Sequence, residues 1–566
     1  MPEYPEALMR GLSIILPVMA VIVLIRCLRS MLRGRSDTEV WGYIHTDDKV
    51  IPINHWENLL GRARSADIAL PFSSVSRVHA VLVRNNRGLW HIYDVFSRGG
   101  VWVNGDRVHA LGCQVCDGDV IRLADSSLRF RDISESQRAA IEARRNSPWK
   151  EVHPAITLLD LTLFQAILLL EHCLTAPREQ LASVAMAFGL LAALEWFCYF
   201  FMRSLRRTGF EVETIAFFLC SLGLSVIATS VPDEIIRQIC FIVAGVVLYF
   251  ALGWWLSNLD RTKTMRTPVG IIALALLALN VVAGETRYGA ANWLTVAGIS
   301  LQPSELIKVA YIYVGAATLE RLFRTRNLIK FIAFSAVCVM GLALISDFGA
   351  ALIFFATFLV ISFMRSGSVA TVALSVTGAG MAGFLVLRAK SHVADRFASW
   401  GHVWEPEFIY NGGYQQARAM SAASGGGLFG KGAGLGWLKG DFAANTDTVF
   451  ALISEELGLI VAVCAVLALL ALAFFTVRNC ARGRSSYYSI AACATASMFM
   501  VQMSLNVFGS LDILPFTGVT FPFVSRGGTS LLACWMLLAF IKAGDTRKGA
   551  SFIVRPADKI REAGKK

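Results

Sequence analysis

A chain of 566 residues that is 55% hydrophobic and only 17% charged, with a mean hydropathy of +0.55, carries too little charge for a soluble protein of its size. Apolar runs of about 20 residues, the length that crosses a bilayer, recur along most of it, which is the composition of an integral membrane protein. The formal net charge of +12 is therefore no sign of nucleic-acid binding, because surplus Lys and Arg in a multispanning protein mark its cytoplasmic loops.

The first apolar run, Leu8 to Ile25, is followed by Arg26, Arg29, Arg33 and Arg35 and lacks both a basic start and a small-residue cleavage site. It reads as an uncleaved anchor with its N-terminus outside, and residues 1–49 form that anchor with a basic linker. Residues 50–132 differ in kind: polar, alternating, and punctuated by turn signals. VHAVLV, LWHIYDV, GVWV, DVIRL and SLRF read as short strands, and VWVNGDRV as a hairpin on an Asn-Gly turn, which predicts a small all-β sandwich. Cys113 and Cys116 form a lone C-x-x-C with no second half and no nearby His pair, so they read as strand residues rather than a metal site. A charged linker, 133–153, joins this domain to the membrane part.

From Ile156 to Ile541 about twelve further spans follow, beginning near residues 156, 181, 214, 235, 268, 304, 328, 349, 368, 447, 488 and 529. Basic clusters follow every second one: Arg203 to Arg207, Arg261 to Arg266, Arg321 to Arg326, Arg365, Arg478 to Arg484, and the tail from Lys542. With the anchor this gives a multispanning α-helical membrane protein of about 13 spans, with the β domain and the C-terminus cytoplasmic. One outside segment stands apart, because 390–446 is far longer than the about 12–15 residues beyond which structureless connections are uncommon unless functional.

That segment holds SGGGLFGKGAGLG, residues 424–436, which falls one residue short of the nucleotide-binding pattern G-x-x-x-x-G-K-[ST]. Gly432 stands where the Mg²⁺-holding hydroxyl belongs, no strand precedes it, and the outer face has no ATP pool, so the nucleotide reading fails. Its glycines let backbone N–H groups approach an anion, and Arg396, Arg418, Lys431, Lys439 and Arg526 lie on the same side. Together they suit a phosphate-bearing head group; the alternative is a solvated loop with ordinary surface charges.

Ionisable groups at or inside the membrane are expensive and point to function. Asp447, in NTDTVFALISEELGLI, sits where the long outer loop meets a span: either a partly desolvated general base or a helix N-terminal cap. Glu455 and Glu456 are adjacent and cannot share a helix face, which suits structural pairing with a cation or backbone. In SLQPSELIKVA, Glu305 and Lys308 are spaced i, i+3 and form either a structural ion pair or a substrate-lining one. Asp347, in ISDFGA, marks a short outer turn.

LPFTGVTFPFVSRGGTS, residues 514–530, resembles the signature of the SEDS proteins (shape, elongation, division and sporulation), the FtsW/RodA/SpoVE family. ISLQPSELIKVA, ISDFGA, GGYQQARAMSAASGGGLFGKGAG and TDTVFALISEELG match further blocks in order, over roughly residues 210–545. The resemblance implies a ten-span core at 210–545, an extra transmembrane hairpin at 154–209 and a basic cytoplasmic tail at 546–566. It also implies polymerisation of lipid II outside the membrane, with a class B penicillin-binding protein as partner, in elongation, division or sporulation. Asp447 falls on the family's essential aspartate; Arg396, Gln415, Lys431, Glu305, Lys308 and Ser525 fall on substrate-cavity positions. Lipid II carries an α-linked diphosphate and the glycan is β-1,4, so one base suffices for the inversion. Cations of the chain or a divalent metal, Mg or Mn, would stabilise the leaving diphosphate. The chain departs from the family at Asn292-Trp293 (usually R-W), at Phe442-Ala443-Ala444-Asn445 before Thr446-Asp447 (usually P-E-x-H), and at Ser525-Arg526-Gly527-Gly528 (usually S-Y-G-G). The functions that compete with polymerisation are lipid II flipping and non-catalytic scaffolding.

The β domain, GRARSADIALPFSSVSRVHAVL with VNGDRV and DGDVIRL, resembles a forkhead-associated (FHA) domain, which binds phosphothreonine peptides. Arg62, Ser76 and Arg77 match its phosphate-contacting positions, His79 and Asn104 its loop-bracing ones, with Asn104 counted as part of the binding surface. Phosphothreonine proteins, targets of a Ser/Thr kinase, are the partners this implies. The family's S-x-N-G-T reads Ser97-Arg98-Gly99-Gly100-Val101 here, so the peptide-contacting Asn is absent and Arg98 offers charge in its place.

Overall fold

The computed structural model describes residues 6–552 apart from short internal stretches, the longest being 140–152. Most of the linker expected at 133–153 and the end of the tail expected at 546–566 lie outside the described residues. The helices are α1 (Glu6–Arg33), α2 (Pro154–Thr175), α3 (Arg178–Ser204), α4 (Glu211–Ser230), α5 (Ile235–Leu256), α6 (Leu259–Thr264), α7 (Arg266–Ala283), α8 (Pro303–Leu319) and α9 (Thr325–Leu344). They continue as α10 (Phe348–Ser366), α11 (Val369–Ala389), α12 (Ser391–Ser399), α13 (Tyr414–Gly426), α14 (Val449–Glu456), α15 (Leu459–Cys480), α16 (Ser486–Ser510) and α17 (Gly528–Ala543). Among the described residues 8 helices are long and apolar enough to cross a bilayer, and shorter apolar stretches occupy α9, α10, α11 and α17. With α8, which carries Glu305 and Lys308, these fill the expected set of spans.

α4 is buried on every face along nearly its whole length, which places it at the centre of the bundle. α1, α2 and α3 pack around it. The hairpin α2–α3 is joined to the core by side-chain hydrogen bonds as well as packing: Gln165 Nε2 donates to Glu195 Oε2 at 2.9 Å and to Ser221 Oγ at 3.0 Å. His172 Nε2 lies 2.9 Å from Ser225 Oγ. Lipid offers no hydrophobic drive for helix association, so buried polar contacts of this kind hold the hairpin in place. At the far end of the bundle, Arg547 Nη2 reaches Glu211 Oε2 at 2.9 Å and Asp545 Oδ2 at 2.8 Å, all three residues being buried. Arg547→Ala leaves two buried carboxylates uncompensated, a loss of about 3–5 kcal/mol. It should lower the thermal unfolding midpoint of the full chain in detergent.

The span expected from Asp447 is two helices. α14 ends at Glu456, and Gly458, at φ +93°, turns the chain into α15. A Cβ at Gly458 would collide with Leu428 O, and one at Gly430 (φ +82°) would collide with Glu456 O. The glycine-rich stretch 425–436 therefore packs backbone to backbone against this break. Lys431 N donates to Glu455 O at 2.9 Å, Gly432 N to Glu456 O at 2.8 Å, and Leu459 N to Gly427 O at 3.0 Å. These bonds satisfy the carbonyls and amides that two helix ends leave open. The expectation that loop amides cradle an anion is thereby corrected for Lys431 and Gly432, whose N–H groups are already used.

Between α1 and α2 stand β1 (Gly42–His45), β2 (Val50–Ile53), β3 (Glu57–Gly61), β4 (Ile68–Ala69), β5 (Ala80–Arg84), β6 (Trp90–Asp94), β7 (Val101–Val103), β8 (Asp106–Arg107), β9 (Cys113–Val115), β10 (Val120–Leu123) and β11 (Ser126–Asp132). They form two sheets, ordered β2-β1-β11-β10-β7-β8 and β4-β3-β5-β6-β9, over a core of Ile44, Leu60, Leu82, Ile92, Ile121 and Phe130. The β7–β8 turn has Asn104 at φ 51° and Gly105 at φ 96°, as the Asn-Gly signal requires. The sheet begins at Gly42, before the expected start at 50, and β1 pairs with the last strand, β11.

This domain is seated on the membrane bundle. Trp56 is buried in the core of the bundle, with Trp41 edge-on to it at 5.9 Å. Glu57, also buried, accepts from Ser485 Oγ at 2.9 Å and from the Ser486 amide at 2.7 Å, at the N-terminus of α16. A carboxylate there meets the open amides and positive end of the helix. His55 Nδ1 adds a contact to Gly483 O at 2.6 Å. Glu57 starts β3 and Arg62 follows its end, about 16 Å away at ~3.3 Å per residue, so docking and the expected phosphate grip occupy opposite ends of one strand.

Candidate functional site

The segment 443–448 enters α14 as a tight turn, with Asp447 N donating to Ala443 O at 2.9 Å. Three consecutive carbonyls of this segment are held from outside. Arg526 N donates to Asn445 O at 2.8 Å, and Ser525 Oγ to Thr446 O at 2.6 Å. Asn506 Nδ2, on α16, reaches Thr446 O at 3.3 Å, Asp447 O at 3.0 Å and Val519 O at 2.8 Å. With its backbone clamped, the Asp447 carboxylate faces Gly518, where a Cβ would stand 3.2 Å from Oδ2; that glycine sits at φ +65°. Burial raises the Asp447 carboxyl above the ordinary carboxylate range, offset in part by the Thr446 hydroxyl and the charge of Arg396. The arrangement suits a proton acceptor rather than a helix cap: Asp447 is followed by Thr448, and it is Thr448 that stands at the N-cap of α14, without a side-chain capping bond.

Arg396, on α12, is exposed, and its Nη1 donates to Phe516 O at 3.3 Å. Ser525 also accepts from Phe521 N at 2.8 Å, so its hydroxyl joins the 514–526 segment to the Asp447 turn. Gln415 Nε2 donates to Phe442 O at 3.1 Å, on the same turn. The structure thus brings Asp447, Arg396, Gln415 and Ser525 together. The other cations expected on the outer side are engaged. Lys431 Nζ pairs with buried Glu455 at 2.7 Å, and Glu455 Oε2 accepts from Leu438 N at 3.0 Å. Arg526 makes a two-armed pair with Glu234 at 2.9 and 2.5 Å, Arg418 pairs with Asp441, and Lys439 donates to Gly434 O.

Glu305 and Lys308 form a buried pair at 2.7 Å inside α8. Asn292, which replaces the family's Arg, donates through Nδ2 to Asp347 and accepts from Asn280 Nδ2 at 3.2 Å. Lys308 and Glu305 act electrostatically on Asp347, so these two, Asp347, Asn292 and Asn280 form one polar cluster beside α8. Asn506 and Gly518 were not singled out from the sequence; an Asn within an apolar span, four residues from the end of α16, is the signal that would have found the first.

In the β domain three loops meet at Ser76. Arg62 N donates to Ser76 O at 2.9 Å, Ala63 N to Arg77 O at 3.1 Å, and Arg98 N to Ser76 Oγ at 3.2 Å. A Cβ at Gly61 would strike Arg77 O, which is what lets the first two loops lie this close. His79, fully buried, accepts from Ser76 N at 3.0 Å and holds Gly100 O at 2.9 Å. Asn104 is a brace: its Oδ1 accepts from Val120 N at 2.9 Å and its Nδ2 donates to Asp119 at 2.8 Å. Cys113 lies in β9 and Cys116 is exposed beyond it.

Among the described residues no three His, Cys, Asp or Glu side chains gather as a metal-holding group. Around Asp447 the named contacts bring backbone carbonyls, Asn506 and Ser525 to a single carboxylate, which is not such a group by itself.

Residues 187–548 match the family model described as cell cycle protein, FtsW/RodA/SpoVE, and residues 58–124 match the FHA domain model. The probable peptidoglycan glycosyltransferase FtsW of Buchnera aphidicola is 26% identical over 348 residues, covering 57% of this chain and 85% of that protein. The peptidoglycan glycosyltransferase RodA of Mycobacterium tuberculosis is 30% identical over 326 residues, covering 54% and 69%. A solved structure described as structural coordination of polymerization and crosslinking by a peptidoglycan synthase complex is 23% identical, covers 60% of this chain and 98% of its own, and superposes with a TM-score of 0.51, a shared fold.

Proposed function

The chain belongs to the FtsW/RodA/SpoVE family, and from that membership and the clamp around Asp447 we propose that it polymerises lipid II into glycan strands, with release of undecaprenyl diphosphate. Its curated relatives carry the name peptidoglycan glycosyltransferase. The observation that carries the reading is a half-buried carboxylate of raised pKa whose three neighbouring carbonyls are tied down, facing a glycine that keeps the space before it open. Asp447 accepts the proton of the acceptor sugar's 4-hydroxyl as that oxygen attacks the anomeric carbon. The bond to the diphosphate oxygen breaks, and its electron pair leaves with the lipid diphosphate. Attack from the face opposite the leaving group turns an α linkage into β. Arg396, free of any carboxylate ion pair among the described residues, is placed to offset the charge developing on the diphosphate. Gln415, Ser525, Glu305, Lys308 and Lys431 serve the cavity, Lys431 by holding Glu455 and with it the glycine-rich stretch.

Asn506 is a positioning residue in this scheme. Asn506→Ala removes all three carbonyl tethers on its side and should lower turnover by roughly 10-fold or more while the lipid II KM stays near the wild-type value. Steady-state kinetics separates that from a binding defect.

The alternating basic clusters support an N-terminus outside, the FHA domain and C-terminus in the cytoplasm, and Asp447 on the outer face. The FHA domain then recruits or answers to phosphothreonine proteins made by a Ser/Thr kinase, and a class B penicillin-binding protein crosslinks the product. The test is purified full chain with that transpeptidase and lipid II. Glycan strands on a gel support the reading; transfer of lipid II across vesicles without any polymer would identify a flippase instead, and neither activity a scaffold.

A further inference from the structure

The family's peptide-contacting Asn has no room in this chain. Its position is Gly99, where a Cβ would collide with the Cβ of Ala124, itself held at φ 52°. What the surface offers instead is charge. Arg62 and Arg98 each hydrogen-bond Ser76 through their backbone amides, and Arg77 is its neighbour in the chain, so three guanidinium side chains radiate from loops zipped together at one residue. All three are exposed, and none makes an ion pair with a carboxylate among the described residues. Two acids flank these loops in the chain and both accept backbone amides: Asp94 from Ser97 N at 2.9 Å and Asp67 from Leu59 N at 2.8 Å. The loops are fixed relative to one another by His79, which spans Ser76 and Gly100. The docked edge of the domain, at Trp56 and Glu57, lies at the other end of β3, so docking leaves this surface open.

Three positive charges exceed what one phosphothreonine supplies, about −1.5 to −2 near neutral pH. Two guanidiniums balance the phosphate and one remains. We propose that Arg98 reads a second negative charge close to the phosphothreonine, so that the partner is a phosphothreonine peptide with adjoining Asp or Glu, or with a second phosphorylated residue. Where related domains use an amide to hold the peptide backbone, this one uses a third cation to read its charge. The inference rests on the reading of the domain as a phosphothreonine binder. Because the contact is an exposed ion pair, the preference it creates weakens as salt rises.

The experiment uses the full chain in lipid nanodiscs and three fluorescent peptides: a phosphothreonine peptide with neutral flanks, the same peptide with acidic flanks, and the acidic peptide without phosphate. The expected order is acidic phosphopeptide at least about 10-fold tighter than the neutral one, as one further charge-assisted contact gives, with the unphosphorylated peptide unbound. Arg98→Ala should shrink that ratio to within about 2-fold, and Arg62→Ala should weaken binding of both phosphopeptides by about 10–100-fold. A ratio near one in the wild type, or a ratio that Arg98→Ala leaves intact, overturns the role of Arg98 while the phosphothreonine reading stands. Equal binding of the unphosphorylated acidic peptide shows a general anion patch and overturns it too. No binding of any peptide sinks both.

Discussion

Asp447→Asn should reduce glycan polymerisation by about 10²–10⁴-fold, the range that removal of a general base produces, while the protein stays folded and still binds lipid II. The amide keeps the size of the carboxylate and the Gly518 contact but cannot take a proton. Because Asn506 and Ser525 hold the backbone rather than the side chain, the turn itself should survive the substitution. The pH dependence carries a second expectation. Burial raises the Asp447 pKa above the unperturbed value of about 3.9, so the carboxyl is protonated, and inactive as a base, to higher pH than an exposed aspartate. The wild-type rate should therefore climb with pH through that raised pKa and then level. The residual rate of the Asn variant should lack this limb. Removing Arg396, whose charge lowers the same pKa, should move the limb to higher pH.

Arg62→Ala should weaken phosphothreonine-peptide binding by about 10–100-fold, the worth of a charge-assisted contact to phosphate. The backbone amide of residue 62 still bonds Ser76 O in the variant, and Gly61 still fits beneath Arg77, so the loop keeps its course and only the guanidinium is lost. Fluorescence anisotropy with a phosphothreonine peptide, and with its Ser- or Ala-substituted control, reads the effect. Polymerisation of lipid II by the unphosphorylated system should be unaffected at first order, because Arg62 lies at the end of β3 remote from Glu57 and α16.

Much of this was legible in the sequence because it is one-dimensional. Spans announce themselves as apolar runs, the strands β5, β6, β7, β10 and β11 as alternating ones, and the β7–β8 turn as Asn-Gly. The first strands were hidden because GYIH and VIPI are only four residues long, with Pro52 inside the second; β1 takes its place between β2 and β11, the latter some ninety residues on. The break between α14 and α15 was missed for a related reason. Residues 449–480 read as one apolar helix, and only the close approach of Leu428 to Gly458 ends it. The same contact shows what the glycines of 425–436 do: they admit backbone to backbone, and the amides of Lys431 and Gly432 close a helix end.

The candidate site was legible through its resemblance more than through its spacing. Asp447 by itself left cap and base open; the tethered carbonyls of Asn445, Thr446 and Asp447, with Thr448 at the start of α14, suit the base. The cations were harder to read. Arg418, Lys431 and Arg526 looked alike in sequence, yet each has a carboxylate partner brought from a distant segment, leaving Arg396 beside the aspartate. Asn506 carried no motif weight, although its amide is what joins α16 to the turn.

The central claim, inverting transfer by a single carboxylate, is tested most directly by the linkage of the product. Lipid II should be incubated with purified wild type and with Asp447→Asn, and any polymer treated with a muramidase that cleaves only β-1,4 bonds. Wild type should give strands that the enzyme digests completely, and the variant should give none. Strands that resist digestion, or equal amounts of polymer from both proteins, would contradict it.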